Sequence, residues 1–188
     1  MRNFFVFVFE VTKVVVISLA IIIPVRYFLI QPFYVKGASM EPSFYDHEYL
    51  IIDEISYRFR EPQRGEIVVF KYPLDPSQYF IKRVIARPGE KVEIQDGAVY
   101  VYTADTNRRV ELDETYLASD VDTLNSIEGI ITLEADEYYL LGDNRNHSKD
   151  SRSFGAVKDS FVVGRVLFRG WPLSRVGTFE IPQYQLLN

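Results

Sequence analysis

Three stretches of this 188-residue chain hold side chains suited to bond cleavage. The first is GASMEPSF (Gly37–Phe44), whose glycine, serine and proline make a loop that can present the Ser39 hydroxyl as a nucleophile. Most loop serines are merely solvated, so Ser39 needs a partner before it means anything. The second stretch is YFIKRVI (Tyr79–Ile85). Strand alternation sets Phe80, Lys82 and Val84 on one face and Tyr79, Ile81, Arg83 and Ile85 on the other, so one of two adjacent cations must face an apolar or mixed side. If that cation is Lys82, burial disfavours its charged form and leaves a neutral amine as a base near neutral pH, which arginine never supplies. A lysine snorkelling at a sheet edge fits the same spacing.

The third stretch is GDNRNHSKDSRSFG (Gly142–Gly155), which packs Asp143, Arg145, Ser148, Lys149, Asp150 and Arg152 into one loop. Such a density of short donors and acceptors suits a loop that fastens an active site. Calcium is the obvious rival, but Arg145 stands where an EF-hand needs an oxygen ligand, and no glycine or closing glutamate follows at the right spacing. No metal is expected there. A Ser-His-Asp triad using His147 with Asp143 or Asp150 stays open on chemistry alone.

Elements must position these groups. EYLIIDEI (Glu48–Ile55), GEIVVFKY (Gly65–Tyr72) and QYFIKRVIA (Gln78–Ala86) are β-branched and aromatic runs bounded by Pro, Gly and Asp. Asp96-Gly97 between two alternating runs signals a tight hairpin. GIITLE, EYYLLGD and FVVGRVLF are further strands, and residues 103–128 are polar and irregular, an excursion or small flap. With 14 Phe and 13 Tyr favouring sheet over helix, the expected fold is all-β: an antiparallel, folded-over sheet or barrel.

Composition narrows the function. A net charge of −5 argues against a nucleic-acid partner. Cysteine is absent, which removes thiol nucleophiles and thiolate metal sites, and only His47 and His147 offer imidazole. The N-terminal region differs from all the rest. Between Phe4 and Ile30 the only charges are Glu10, Lys13 and Arg26, and Val14–Val25 carries none. The last two flank the uncharged run, where long stems can snorkel outward, so one helix spanning a lipid bilayer is expected. A cleavable export signal, with Val35 and Gly37 before the cut, remains the alternative. Charge leaves the orientation open, because Arg2 and Lys13 face Arg26 and Lys36.

Four segments taken in order, S-M-E-P-S (Ser39–Ser43), R-G-E-I-V-V-F (Arg64–Phe70), K-R-V-I-A-R-P-G-E (Lys82–Glu90) and G-D-N-R-N-H-S-K-D-S-R (Gly142–Arg152), resemble the successive boxes of bacterial type I signal peptidases. The resemblance implies a Ser/Lys dyad in which Ser39 attacks and Lys82 takes the proton. It implies further that Ser148 orients the lysine, that Asp150 and Arg152 form a supporting ion pair, and that Asp143 and Arg145 are structural. Backbone N–H of Ser39 would serve the oxyanion. Gly37 stands where some members carry a second hydroxyl donor, and Met40 would line the pocket for the small residue at the cut.

The implied protein is a membrane-bound serine endopeptidase, without cofactor or metal, that frees exported preproteins of their signal peptides. Residues 1–32 would be the cytoplasmic end and anchor, and residues 33–188 the protease domain outside the plasma membrane. Two rivals are a self-cleaving repressor-type protease, which would carry a DNA-binding domain in place of the apolar segment, and an inactive membrane-anchored binding module.

Overall fold

The computed structural model describes residues 2–28, 31–118, 121–124, 129–182 and 184. Side chains at 2, 3, 24–28 and 31 lie outside the described residues, and with them the expectation for Arg26. Helix α1 (Arg2–Phe28) carries the apolar window Phe4–Ile23, 20 residues at mean hydropathy 2.5, none of it buried against the rest of the chain. It is long and apolar enough to cross a bilayer. Lys13 lies 3.7 Å from Glu10, so their charges meet on the helix surface.

Beyond the helix come β1 (Gln31–Tyr34), β2 (Tyr49–Asp53), β3 (Ile67–Tyr72), β4 (Asp75–Ala86), β5 (Lys91–Gln95), β6 (Ala98–Tyr102), β7 (Arg109–Glu111), β8 (Ile130–Thr132), β9 (Glu137–Leu141), a one-turn helix α2 (Ser151–Phe154), β10 (Val157–Lys158), β11 (Val162–Trp171) and β12 (Gly177–Thr178). The expected strands therefore form, in two antiparallel sheets. The larger runs β1-β2-β11-β3-β4-β9-β10 with β12 paired to β11, and the smaller runs β7-β6-β5-β8. Strand β1 begins at Gln31, just ahead of the boundary expected after residue 32, because its pairing with β2 ties the end of the apolar segment directly to the sheet.

Apolar alternation builds three cores. Strand β3 is buried on both sides: Ile67 and Val69 join Leu50, Ile52 and Phe44, while Val68 and Phe70 join Val84 and Leu140. The third core lies between the small sheet and β4/β9, with Val92, Val99 and Val101 against Ile85 and Tyr139. Asp96 and Gly97 turn the β5–β6 hairpin with φ of 52° and 81°, the left-handed pair that such two-residue loops require. Because β3 has no solvent face, its neighbour β4 is buried along its second half, and that is where Lys82 and Arg83 sit.

Candidate active site

Ser39 lies in a turn between β1 and β2, and its hydroxyl accepts a 2.7 Å hydrogen bond from Lys82 Nζ. Lys82 stands opposite Val68 in the β3–β4 ladder and is only 3% exposed. Its other hydrogen bond goes to the Ile81 carbonyl at 2.7 Å, and the Phe80 ring lies 5.5 Å away. Neither hydrogen-bond partner is an acid. Burial pulls its pKa down to about 8, against the charges of Asp150 and Asp143, which pull it back up. The amine is therefore a competent acceptor of the Ser39 proton close to neutral pH.

Alternation along β4 had left one of the two cations to face the interior; in the structure both do. Arg83 is also 3% exposed, and its guanidinium donates to Asp143 at 2.8 and 2.6 Å and to the Gly65 carbonyl at 2.9 Å. Burial acts to lower the pKa of Arg83, but the Asp143 carboxylate holds it above its ordinary value. Both faces of β4 are covered here, so alternation chooses between two interiors rather than between interior and solvent.

The loop after β9 packs against the Ser39–Lys82 pair. Asn144 donates its backbone N–H to the Ser39 carbonyl at 3.1 Å and its side-chain amide to the Ala38 carbonyl at 3.0 Å, tying the two loops together. Ser43 Oγ donates to Asp143 at 2.6 Å. Asp150 pairs with Arg152 at 2.8 Å and accepts from the Gly142 N–H at 3.1 Å. Burial would raise the Asp150 pKa, yet these donors hold it below the ordinary carboxylate value. Gly142 packs so tightly that a Cβ there would collide with the Ser148 hydroxyl and the Ser39 carbonyl.

Some expected contacts fall elsewhere. Ser148 makes no hydrogen bond to Lys82; its Oγ is buried without a well-formed partner, near enough to Asp150 to favour that carboxylate's charge. Lys82 spends its hydrogen bonds on Ser39 and Ile81 instead. Met40, expected to line the pocket for the small residue at the cut, is not on the cleft wall: it is 1% exposed and packs in the core with Val35, Phe44 and Leu50. Gly37 does border the cleft, with φ of +87°, and its N–H donates to Asp46 at 2.9 Å. His147 is exposed and its Nδ1 meets Asn144 Oδ1 at 3.2 Å, while Asp143 and Asp150 are engaged by Arg83 and Arg152. The triad alternative has no geometry behind it.

Arg145 leads to residues that sequence reasoning missed. It is buried and donates to the Glu114 carboxylate at 2.7 and 2.5 Å and also to Thr123. Tyr116 stacks on Arg83 at 3.8 Å, and the Leu124 carbonyl accepts from Arg152 at 3.1 Å. The polar segment expected to be an excursion or flap thus grips the arginines of the site. Nothing in its composition signalled this, because its partners lie about 30 residues away along the chain.

A cleft of about 580 Å³ is lined by Ser39 and Lys82 together with an apolar wall of Val35, Leu50, Val69 and Ile81. Its concave apolar wall lies beside the paired Ser39 hydroxyl and Lys82 amine, the arrangement expected of a site that takes a largely apolar segment.

Comparison with known proteins shows the family to which the chain belongs. The family described as signal peptidase, peptidase S26, matches residues 8–171. Probable signal peptidase I-2 of Synechocystis sp. is 40% identical over 175 residues, covering 89% of this chain and 75% of that protein. Signal peptidase I of Leptolyngbya laminosa is 35% identical over 181 residues, 92% of this chain and 84% of that one. Signal peptidase IB of Staphylococcus aureus is 32% identical over 171 residues, 85% and 87% of the two. A solved signal peptidase I from Enterococcus faecalis superposes with a TM-score of 0.44 at 29% identity, covering 57% of this chain and 97% of that one.

Proposed function

From the premise that this chain belongs to the signal peptidase family, peptidase S26, we propose that Ser39 and Lys82 are the catalytic dyad with which it cuts preproteins. The protein is a serine endopeptidase that removes signal peptides from preproteins. The observation that carries the dyad is the 2.7 Å contact between Ser39 Oγ and a buried Lys82 whose pKa is drawn down to about 8. Neutral Lys82 takes the hydroxyl proton as Ser39 attacks the scissile carbonyl. The Ser39 N–H stabilises the developing oxyanion. Lys82 then gives its proton to the leaving amine, and an acyl-enzyme on Ser39 remains. Water deprotonated by Lys82 hydrolyses that ester and regenerates the dyad.

Asp143, Arg145, Ser148, Asp150 and Arg152 act in this reading as supports for the loop that holds the dyad. Residues 1–32 anchor the protein in the plasma membrane and residues 33–188 work on its outer side, where signal peptides end. Anchoring raises the local concentration of a membrane-held substrate with no additional contact.

Cleavage of a preprotein carrying an A-x-A site, in detergent or liposomes, tests the reading. Wild type and His147→Ala should cut, while Ser39→Ala and Lys82→Ala should not. Retained activity in Lys82→Ala would overturn the dyad.

A further inference from the structure

The chain carries a net charge of −5, yet the cleft beside Ser39 is bordered by Lys36, Lys82, Lys149 and His147, and by no carboxylate among the described residues. The two outer lysines are exposed, and neither has a salt-bridge partner among the described residues. Lys36 lies three residues before the nucleophile. Lys149 belongs to the loop that closes over the dyad, and its ammonium is steadied 4.5 Å over the Tyr72 ring. Nearby acids already have donors. Asp46 accepts from the N–H groups of Gly37 and His47 and meets the His47 ring at 3.0 Å. Asp75, beside the cleft residue Gln78, accepts from Ser77 and Gln78. Asp143 and Asp150 are buried against Arg83 and Arg152.

We propose that Lys36 and Lys149 are specificity-determining residues that select substrates with an acidic side chain close to the scissile bond. This rests on the Ser39/Lys82 reading. A peptide is favoured over an anionic lipid headgroup as the partner because both lysines border the cleft that holds the nucleophile, where the substrate segment must lie. Charges at a rim act on encounter and specificity, and they fade with salt.

The test uses the full chain in neutral detergent and A-x-A preproteins that differ at one position. Glu, Gln or Lys is placed in turn at the middle residue of A-x-A and at the first two residues after the cut. At one position or more, kcat/KM for Glu should exceed that for Lys by about threefold to tenfold at low salt, and the ratio should shrink toward one near 0.5 M salt. Lys36→Gln/Lys149→Gln should flatten the ratio, and Lys149→Glu should reverse it or pull it below one. A ratio near one in wild type, or a ratio unchanged in the double variant, overturns the proposal. So does a preference seen only in anionic vesicles, which would assign the lysines to lipid. Failure to cut even the Gln substrates would sink the dyad reading and this one with it, whereas cleavage indifferent to charge sinks this one alone.

Discussion

The two flanks of β4 treat neighbouring cations in opposite ways. Lys82 and Arg83 are equally buried, but Lys82 donates only to a hydroxyl and a carbonyl, whereas Arg83 meets the Asp143 carboxylate through two nitrogens and stacks on Tyr116. One charge is made dispensable and the other is secured. The residue types suit the two tasks, since a lysine ammonium can shed its proton when desolvated while a guanidinium cannot. An ionic contact at Lys82 would have kept its pKa high and removed the base. Asp143 and Asp150 therefore sit close enough to oppose the depression but hand their hydrogen bonds to arginines and backbone.

The largest expected effect comes from giving Lys82 the character of its neighbour. Lys82→Arg should lower kcat/KM by about three orders of magnitude or more, because a permanently protonated group cannot serve as general base. Lys82→Met should be equally inactive, yet more stable than wild type at pH 7 by roughly 1–3 kcal/mol in chemical denaturation. The sign follows from linkage. Unfolded lysine holds its proton up to about pH 10.5 while the folded group releases it near 8, so wild type is penalised below pH 8 and recovers as pH rises between the two.

Removing the counter-charge at Arg83 attacks the other flank. Asp143→Ala should cost about 3–5 kcal/mol of stability, since it strands a buried guanidinium. Asp143→Asn is milder and sharpens the contrast: it removes a charge that raises the Lys82 pKa, so the acidic limb of its pH–rate profile should move to lower pH. In wild type that limb should bend near pH 8, with activity falling about tenfold per unit below it. Glu114→Gln loosens Arg145 at one remove from the dyad and should cost about 1–3 kcal/mol in stability, with the limb unmoved. His147→Ala should be the smallest change, within about threefold of wild-type cleavage of a neutral substrate, as expected of an exposed side chain.

Much of this was legible in the chain as letters. The apolar window before residue 24, the alternating runs and the Asp96-Gly97 turn depend on neighbours within a few residues, so periodicity and turn chemistry expose them. Ser39, Lys82 and the loop from Gly142 to Arg152 were visible because their residue types are chemically unusual for their settings and occur in a telling order. Three details were not. Met40 follows Ser39 yet packs into the core, the Ser148 hydroxyl is buried without bonding Lys82, and Glu114, Tyr116 and Thr123 grip the arginines of the site.

Local composition and order were enough to point to the class of protein, the position of its apolar helix and the residues proposed as the dyad. Three outcomes came from the packing of the folded chain: both cations of β4 are buried, one is left without an acid while the other is given one, and a polar segment with no local signal braces the loop from Gly142 to Arg152. Those outcomes depend on contacts between residues 31 to 60 positions apart, where desolvation and pairing, not propensity, set the energy.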